Sequence, residues 1–143
     1  LEQGLVAAVQ WLAAGFERRS GIPARVISSS ESIRATADIQ LVAYRTAQEA
    51  LTNISKHAHP RTVHIDLSDK EDVLTLEVTD DGQGIDPCML EKPKAFGLKG
   101  LHERARTVGG WLDISSRPGQ GTSVILSIPL TSHPTPPAPG DAQ

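Results

Sequence analysis

Four stretches of this chain carry residues whose types and spacing could do chemistry. Asp80-Asp81-Gly82-Gln83-Gly84 follows Val73 to Thr79, where Leu74, Leu76 and Val78 alternate with mostly polar neighbours, the period of a half-buried strand. A strand that ends in a carboxylate and then breaks into two glycines brings bare backbone close to something, because glycine tolerates positive φ and carries no Cβ. Asp-Gly between apolar runs also reads as a hairpin turn, and alone the stretch supports either reading. Gly97-Leu98-Lys99-Gly100 opens a helical pattern; a helix N-terminus offers unpaired N–H donors and a partial positive charge, which suits phosphate. Pro118-Gly119-Gln120-Gly121 is a third glycine-containing turn. Fourth, Arg45, Glu49, Asn53, Lys56 and His57 are spaced three and four apart and stack on one helical face. Glu and Asn one turn apart supply oxygen ligands for a hard cation such as Mg²⁺, and Lys in the next turn supplies a phosphate partner. A solvated helix face and glycines that only punctuate turns are the ordinary alternatives.

The elements that must position these groups follow from periodicity. Leu5, Val9, Leu12 and Phe16 make residues 1–20 an amphipathic helix, closed by Arg18-Arg19-Ser20 and a C′ glycine at Gly21. Pro23 begins a short strand from Ala24 to Ser29, and residues 30–37 read as a loop. A long helix runs from Asp38, its expected N-cap, to Ala58, burying Ile39, Val42, Ala43, Ala47, Ala50, Leu51 and Ile54; Pro60 stops it. Strands at Arg61–Ser68 and Val73–Asp80 form an antiparallel hairpin through residues 69–72. Residues 85–96, with Pro87 and Pro93, form a connection without periodicity. The next helix turns Leu98, Leu101, Ala105 and Val108 to one side and ends at Gly109-Gly110. Two more strands, Trp111–Arg117 and Thr122–Leu130, form a second hairpin. Residues 131–143 hold four of the ten prolines and no apolar run, the composition of a disordered tail. Strand neighbours pair as hairpins and helices must cover one face, so the expected fold is an α/β (α+β) two-layer sandwich with a mixed sheet.

Composition excludes several classes. At 143 residues, 38% hydrophobic and 22% charged, the chain suits one soluble domain. A net charge of −3 gives no basic footprint for nucleic acid and no polybasic membrane anchor. The single cysteine, Cys88, excludes an intrachain disulfide and reads as inert. No apolar run is long enough to span a membrane. The chain opens inside a helix, without an initiating methionine or signal peptide, which reads as a piece of something longer. Aromatics make up only 3%, and Trp11 and Trp111 read as packing residues rather than ligand platforms. His59, His64, His102 and His133 read as surface residues.

Taken together and in order, the four stretches resemble the catalytic and ATP-binding domain of bacterial sensor histidine kinases, a Bergerat-fold ATP-binding domain shared with gyrase, the heat-shock chaperone ATPases and mismatch-repair ATPases. Residues 48–58, Gln-Glu-Ala-Leu-Thr-Asn-Ile-Ser-Lys-His-Ala, match the N box. Asp80-Asp81-Gly82-Gln83-Gly84-Ile85, Gly97 to Arg104, and Gly119-Gln120-Gly121-Thr122 match the three glycine boxes. The wording of the boxes is similar to the nitrate-sensor-like subfamily. The resemblance covers about residues 1–130 and leaves 131–143 as the Pro-rich tail.

The resemblance implies ATP and Mg²⁺ as cofactors and roles for named residues. Asp80 accepts from the adenine amino group, and Thr122 supports that contact through water. Gly82 and Gly84 let backbone pass beside base and sugar. Asn53 holds Mg²⁺, with Glu49 facing the metal or its water. Lys56 and His57 contact phosphate oxygens, although His57 also suits a surface pairing with Glu49 or Asn53. Backbone from Gly97 through Leu98, Lys99 and Gly100 to Leu101 cradles the phosphates, while the Lys99 side chain suits phosphate or solvent equally. Residues 85–96 become the ATP lid. The implied activity is transfer of the γ-phosphoryl to a histidine on an upstream dimerisation domain, and from there to a response regulator. None of the five histidines here sits in a recognisable dimerisation-helix motif. The implied setting is the cytoplasmic part of a membrane-anchored sensor. A hydrolytic ATPase with Glu49 activating water, and an adenine-nucleotide-binding module without transfer, stay open as alternatives.

Overall fold

The computed structural model describes residues 3–57, 60–82, 98–117 and 119–130. The expected lid over 85–96 and the tail over 131–143 lie outside the described residues. In chain order the elements are α1 (Leu5–Ser20), β1 (Ala24–Ser28), α2 (Ala37–His57), β2 (Val63–Ser68), β3 (Val73–Asp80), α3 (Leu98–Thr107), β4 (Trp111–Arg117) and β5 (Gly121–Pro129). A short 3₁₀ turn, Lys70–Asp72, joins β2 to β3, with Glu71 and Asp72 both at positive φ.

The five strands form one sheet in the order β1-β2-β3-β5-β4. β1 pairs parallel with β2; every other pairing is antiparallel. This is the mixed two-layer architecture that the element order implies. One sheet face is apolar: Val63, Ile65 and Leu67 of β2, Leu74, Leu76 and Val78 of β3, and Val124, Leu126 and Ile128 of β5 are all buried. Leu5, Val9, Leu12 and Phe16 of α1 cover it together with the α2 stripe, in which Ala43, Ala47 and Ala50 are buried small residues that bring the helix close. Leu101 and Ala105 seat α3 on the same core. Among the described residues no helix is long and apolar enough to cross a membrane.

Local chemistry sets the element ends. Gly21 terminates α1 at φ 76°, its N–H donating to the Glu17 carbonyl, as a left-handed C-terminal glycine does. α2 begins one residue earlier than expected, and its N-cap is Thr36 rather than Asp38. Thr36 Oγ1 accepts the Ile39 N–H at 3.3 Å, leaving Asp38 in the first turn, where its charge complements the helix dipole. Trp11 and Trp111 are not packing residues. They are 66% and 53% exposed, because Trp11 falls off the stripe made by Leu5, Val9, Leu12 and Phe16, and Trp111 points to the uncovered sheet face.

One register row positions everything that follows. Ala24, Val63, Asp80, Thr122 and Ser116 are successive cross-strand partners across the sheet. The row runs from apolar at β1 and β2 to polar at β3, β5 and β4.

Candidate functional site

Asp80 closes β3 as a buried carboxylate, 3% exposed. Its Oδ1 accepts the Gly82 N–H at 2.7 Å, the turn that an Asp two residues before a glycine forms. Its Oδ2 is buried and has no hydrogen-bond partner among the described residues. A buried acceptor left without a donor is costly, so such an atom calls for a donor beyond the described residues. Burial pushes the Asp80 carboxyl up from its ordinary value, and the Asp81 charge adds to that; the Gly82 and Thr122 backbone N–H groups oppose the rise without cancelling it.

Asp81, next in sequence, does a different job. Its Oδ1 accepts the Arg61 and Thr62 N–H groups at 2.8 and 3.0 Å, and its Oδ2 accepts the Thr62 hydroxyl at 3.2 Å. These donors, the Thr62 N–H first, hold its carboxyl below the ordinary range. Asp81 ties the entry of β2 to the exit of β3, which leaves Asp80 as the carboxylate facing the site.

Thr122 lies beside Asp80 on β5 and is also buried. Its hydroxyl is 2.9 Å from that of Ser116, its partner on β4. Thr79, Asp80, Ser115, Ser116, Gln120, Gly121, Thr122 and Ser123 line one concavity at this end of the sheet. Gly121 is held at φ 90°, where a Cβ would lie 2.1 Å from the Asp80 carbonyl oxygen. Glycine is therefore needed here for the two strands to meet at all. Ser116 was not singled out from sequence; the hairpin turn at 118–121 is the signal that would have placed it opposite Thr122.

The remaining candidates lie on α2 and around the start of α3. The start of α2 (Asp38, Leu41, Val42, Arg45) shares a crevice with the end of α3 and the residue after it (Arg104, Thr107, Val108). The later turns of α2 hold Glu49 and Asn53. Those two are half-buried, and Lys56, one turn on, is exposed. α2 then leads by a short connection into β2, whose first residue, Val63, pairs with Asp80. Gly82 is buried and Gly100 half-buried, and a Cβ on Gly100 would meet nothing within 4 Å. The Leu101 side chain is buried in the core, so only its backbone can serve a ligand. Gly84 and Gly97 lie outside the described residues, as do the side chains of His57, Leu98 and Lys99. Among the described residues no group of three His, Cys, Asp or Glu side chains could hold a metal ion. A metal at Asn53 would thus take most of its ligands from elsewhere.

Residues 38–132 match the family described as histidine kinase-, DNA gyrase B-, and HSP90-like ATPases. Among curated relatives, the signal transduction histidine-protein kinase/phosphatase DegS of Brevibacillus brevis is 32% identical over 91% of this chain. The oxygen sensor histidine kinase NreB of Staphylococcus carnosus is 35% identical over 90%. The chain spans 33% and 37% of those two proteins, about a third of each. Among solved structures, the histidine kinase domain of a blue-light activated kinase from Erythrobacter litoralis superposes with a TM-score of 0.78 at 23% identity, covering 90% of this chain and 62% of that one. The catalytic domain of the histidine kinase ThkA gives 0.72 at 20%, covering 88% and 91%. These superpositions bear out the expected fold. The chain belongs to the histidine kinase-, DNA gyrase B-, and HSP90-like ATPase family, as its four boxes imply.

Proposed function

We propose that this member of the ATPase family is the ATP-binding catalytic domain of a sensor histidine kinase, acting on Mg·ATP and a histidine of a dimerisation domain. The single observation that carries the nucleotide reading is Asp80 Oδ2, a buried acceptor without a donor among the described residues, on a residue that lines a concavity. Adenine presents an amino donor at the ring position where guanine presents a carbonyl, so an unprotonated Asp80 selects adenine. Thr122 stands beside that contact, and Gly82 turns the backbone away from the base.

The phosphates then extend toward α2 and the start of α3. Asn53 offers its amide oxygen to Mg²⁺, Glu49 faces the metal or its water one turn away, and Lys56 and His57 neutralise phosphate oxygens. Backbone N–H groups at the α3 N-terminus, from Gly97 to Leu101, receive the remaining charge. Gly84 and Lys99 complete the residues assigned to the nucleotide. Bound Mg²⁺ would supply charge neutralisation across the phosphates. Phosphoryl transfer needs little covalent help from a protein and depends on position and electrostatics; Asn53, Glu49 and Lys56 provide that here. The acceptor histidine, the response regulator that follows it, and residence on the cytoplasmic side of a membrane-anchored sensor belong to the same proposal. The names of the curated relatives, both histidine kinases, support the kinase part of it.

Calorimetric titration with a non-hydrolysable ATP analogue, with and without Mg²⁺, tests the site. The wild-type chain should bind, and Asp80→Asn should weaken binding at least about tenfold, the scale of one lost hydrogen bond to a charged acceptor. Asn53→Ala should remove the Mg²⁺-dependent part of the affinity. Undiminished binding by Asp80→Asn would overturn the adenine assignment.

A further inference from the structure

We propose that the groove between α1 and α2 binds a phosphate monoester with a flat or apolar body, Arg18 and Arg19 holding the phosphate and Trp11 covering the body. The groove has a volume of about 460 Å³, within the range of small-molecule sites. It shares no lining residue with the concavity at Asp80. On the α1 side, Gly15 stands one turn after Trp11 and one turn before Arg18 and Arg19, and all four line the groove. Side chains on a helix lean toward its N-terminus, so both guanidinium groups reach back over Gly15. A Cβ built on Gly15 would lie 3.0 Å from Arg19 Nη1 and 3.6 Å from Arg18 Nη2. Two cations therefore crowd one point, and neither has an ion pair or hydrogen bond among the described residues. No carboxylate among the described residues lines the groove.

A cationic last turn ordinarily serves the carbonyls at a helix C-terminus. Here other donors serve them: Ser20 Oγ donates to the Phe16 carbonyl at 2.7 Å, and the Gly21 N–H to that of Glu17 at 2.8 Å. The arginines turn back to Gly15 instead, where like charges repel until an anion comes between them. A phosphate monoester carries a charge of about −1.5 to −2 at pH 7 and presents three acceptor oxygens, a match for two guanidinium forks. A single carboxylate leaves half of that positive charge unmatched. One turn away, Trp11 is 66% exposed and offers its indole to whatever carries the phosphate. Leu12, Phe16 and Leu51 supply apolar lining beneath it. Gly15 fits the same reading. Glycine inside a helix is less stable than alanine, and its missing Cβ is the space in which the two guanidinium groups meet.

Calorimetric titration with phenyl phosphate tests the groove. Vesicles of phosphatidic acid in phosphatidylcholine form a second arm, which separates a soluble source of the phosphate from a lipid headgroup. Wild type should bind in at least one arm. The double variant Arg18→Gln, Arg19→Gln should bind the same probe at least about tenfold more weakly, the scale of one charge-assisted hydrogen bond, and the non-hydrolysable ATP analogue as wild type does. Gly15→Ala should melt at a higher temperature yet bind the probe at least about threefold more weakly, a pairing that a purely structural glycine would not produce. Benzoate, with the same ring and a single charge, should bind at least about tenfold more weakly than phenyl phosphate. Wild type should prefer phenyl phosphate to inorganic phosphate, and Trp11→Ala should lose that preference. Binding in neither arm, or undiminished binding by the double variant, overturns the site. Equal affinity for benzoate overturns the phosphate as its ligand. An equal loss of affinity for the ATP analogue in the double variant would put the probe in the nucleotide site and overturn the groove.

Discussion

Burial, and after it the Asp81 charge, hold the Asp80 carboxyl above its ordinary range, while donors from Thr62 and Arg61 hold that of Asp81 below it. The consequences for stability have opposite signs. The native state binds the Asp80 proton more tightly than the unfolded chain does, so its contribution is present in acid and lost as pH rises through the raised pKa. Asp81 contributes above its unfolded pKa and loses that contribution as pH falls through the lowered one. Asp80→Asn should therefore stabilise the nucleotide-free chain at neutral pH by about 1 kcal/mol, the usual scale of a point substitution. Thermal melts from pH 8 down to pH 4 should show the advantage shrinking as Asp80 protonates in the wild type. A more stable variant that binds nucleotide less well would show a carboxylate kept at the expense of fold stability.

At the scale of elements, the site depends on two strands approaching closely where Gly121 meets Asp80. A Cβ at 2.1 Å from a backbone oxygen, at φ 90°, cannot be relieved by a side chain moving aside. Gly121→Ala should cost more than about 3 kcal/mol, combining left-handed strain with a backbone clash, read as a large drop in urea midpoint. A loss below about 1 kcal/mol would show that β3 and β5 can part without consequence. The last glycine box was legible in the sequence because a need for positive φ, as at Gly119 and Gly121, falls on one residue at a time. The N-cap was misplaced by two residues because Thr36 and Asp38 are both capping types and only the Ile39 N–H decides between them. Ser116 was passed over because its partner is set by pairing across a hairpin, and a serine in a polar run carries no signal of its own.

For the whole molecule, the two-layer arrangement followed from element order, but the strand order did not, since it puts β5 between β3 and β4. The tryptophans were misjudged because an aromatic was assumed to be core, whereas Leu, Ile, Val and Ala with Phe16 fill this one. Both indoles are more than half exposed, which gives a measurement on the intact fold. Acrylamide should quench the native chain nearly as efficiently as the urea-unfolded one, and the emission maximum should shift little on unfolding. A strongly blue-shifted native spectrum would contradict these placements.

The pairing of Asp80 with Thr122 has a kinetic consequence. Roughly forty residues of chain separate the two, so the contact that completes the pocket wall closes one of the long loops of the fold, a slow kind of step. A chain still emerging from the ribosome can lay down α1, α2 and the β2–β3 hairpin, with Asp80 already in sequence, before Thr122 exists. Nucleotide can then find its pocket only after β5 has inserted beside β3. Because ATP would bind the finished sheet and not its precursors, it should pull the last step of folding forward.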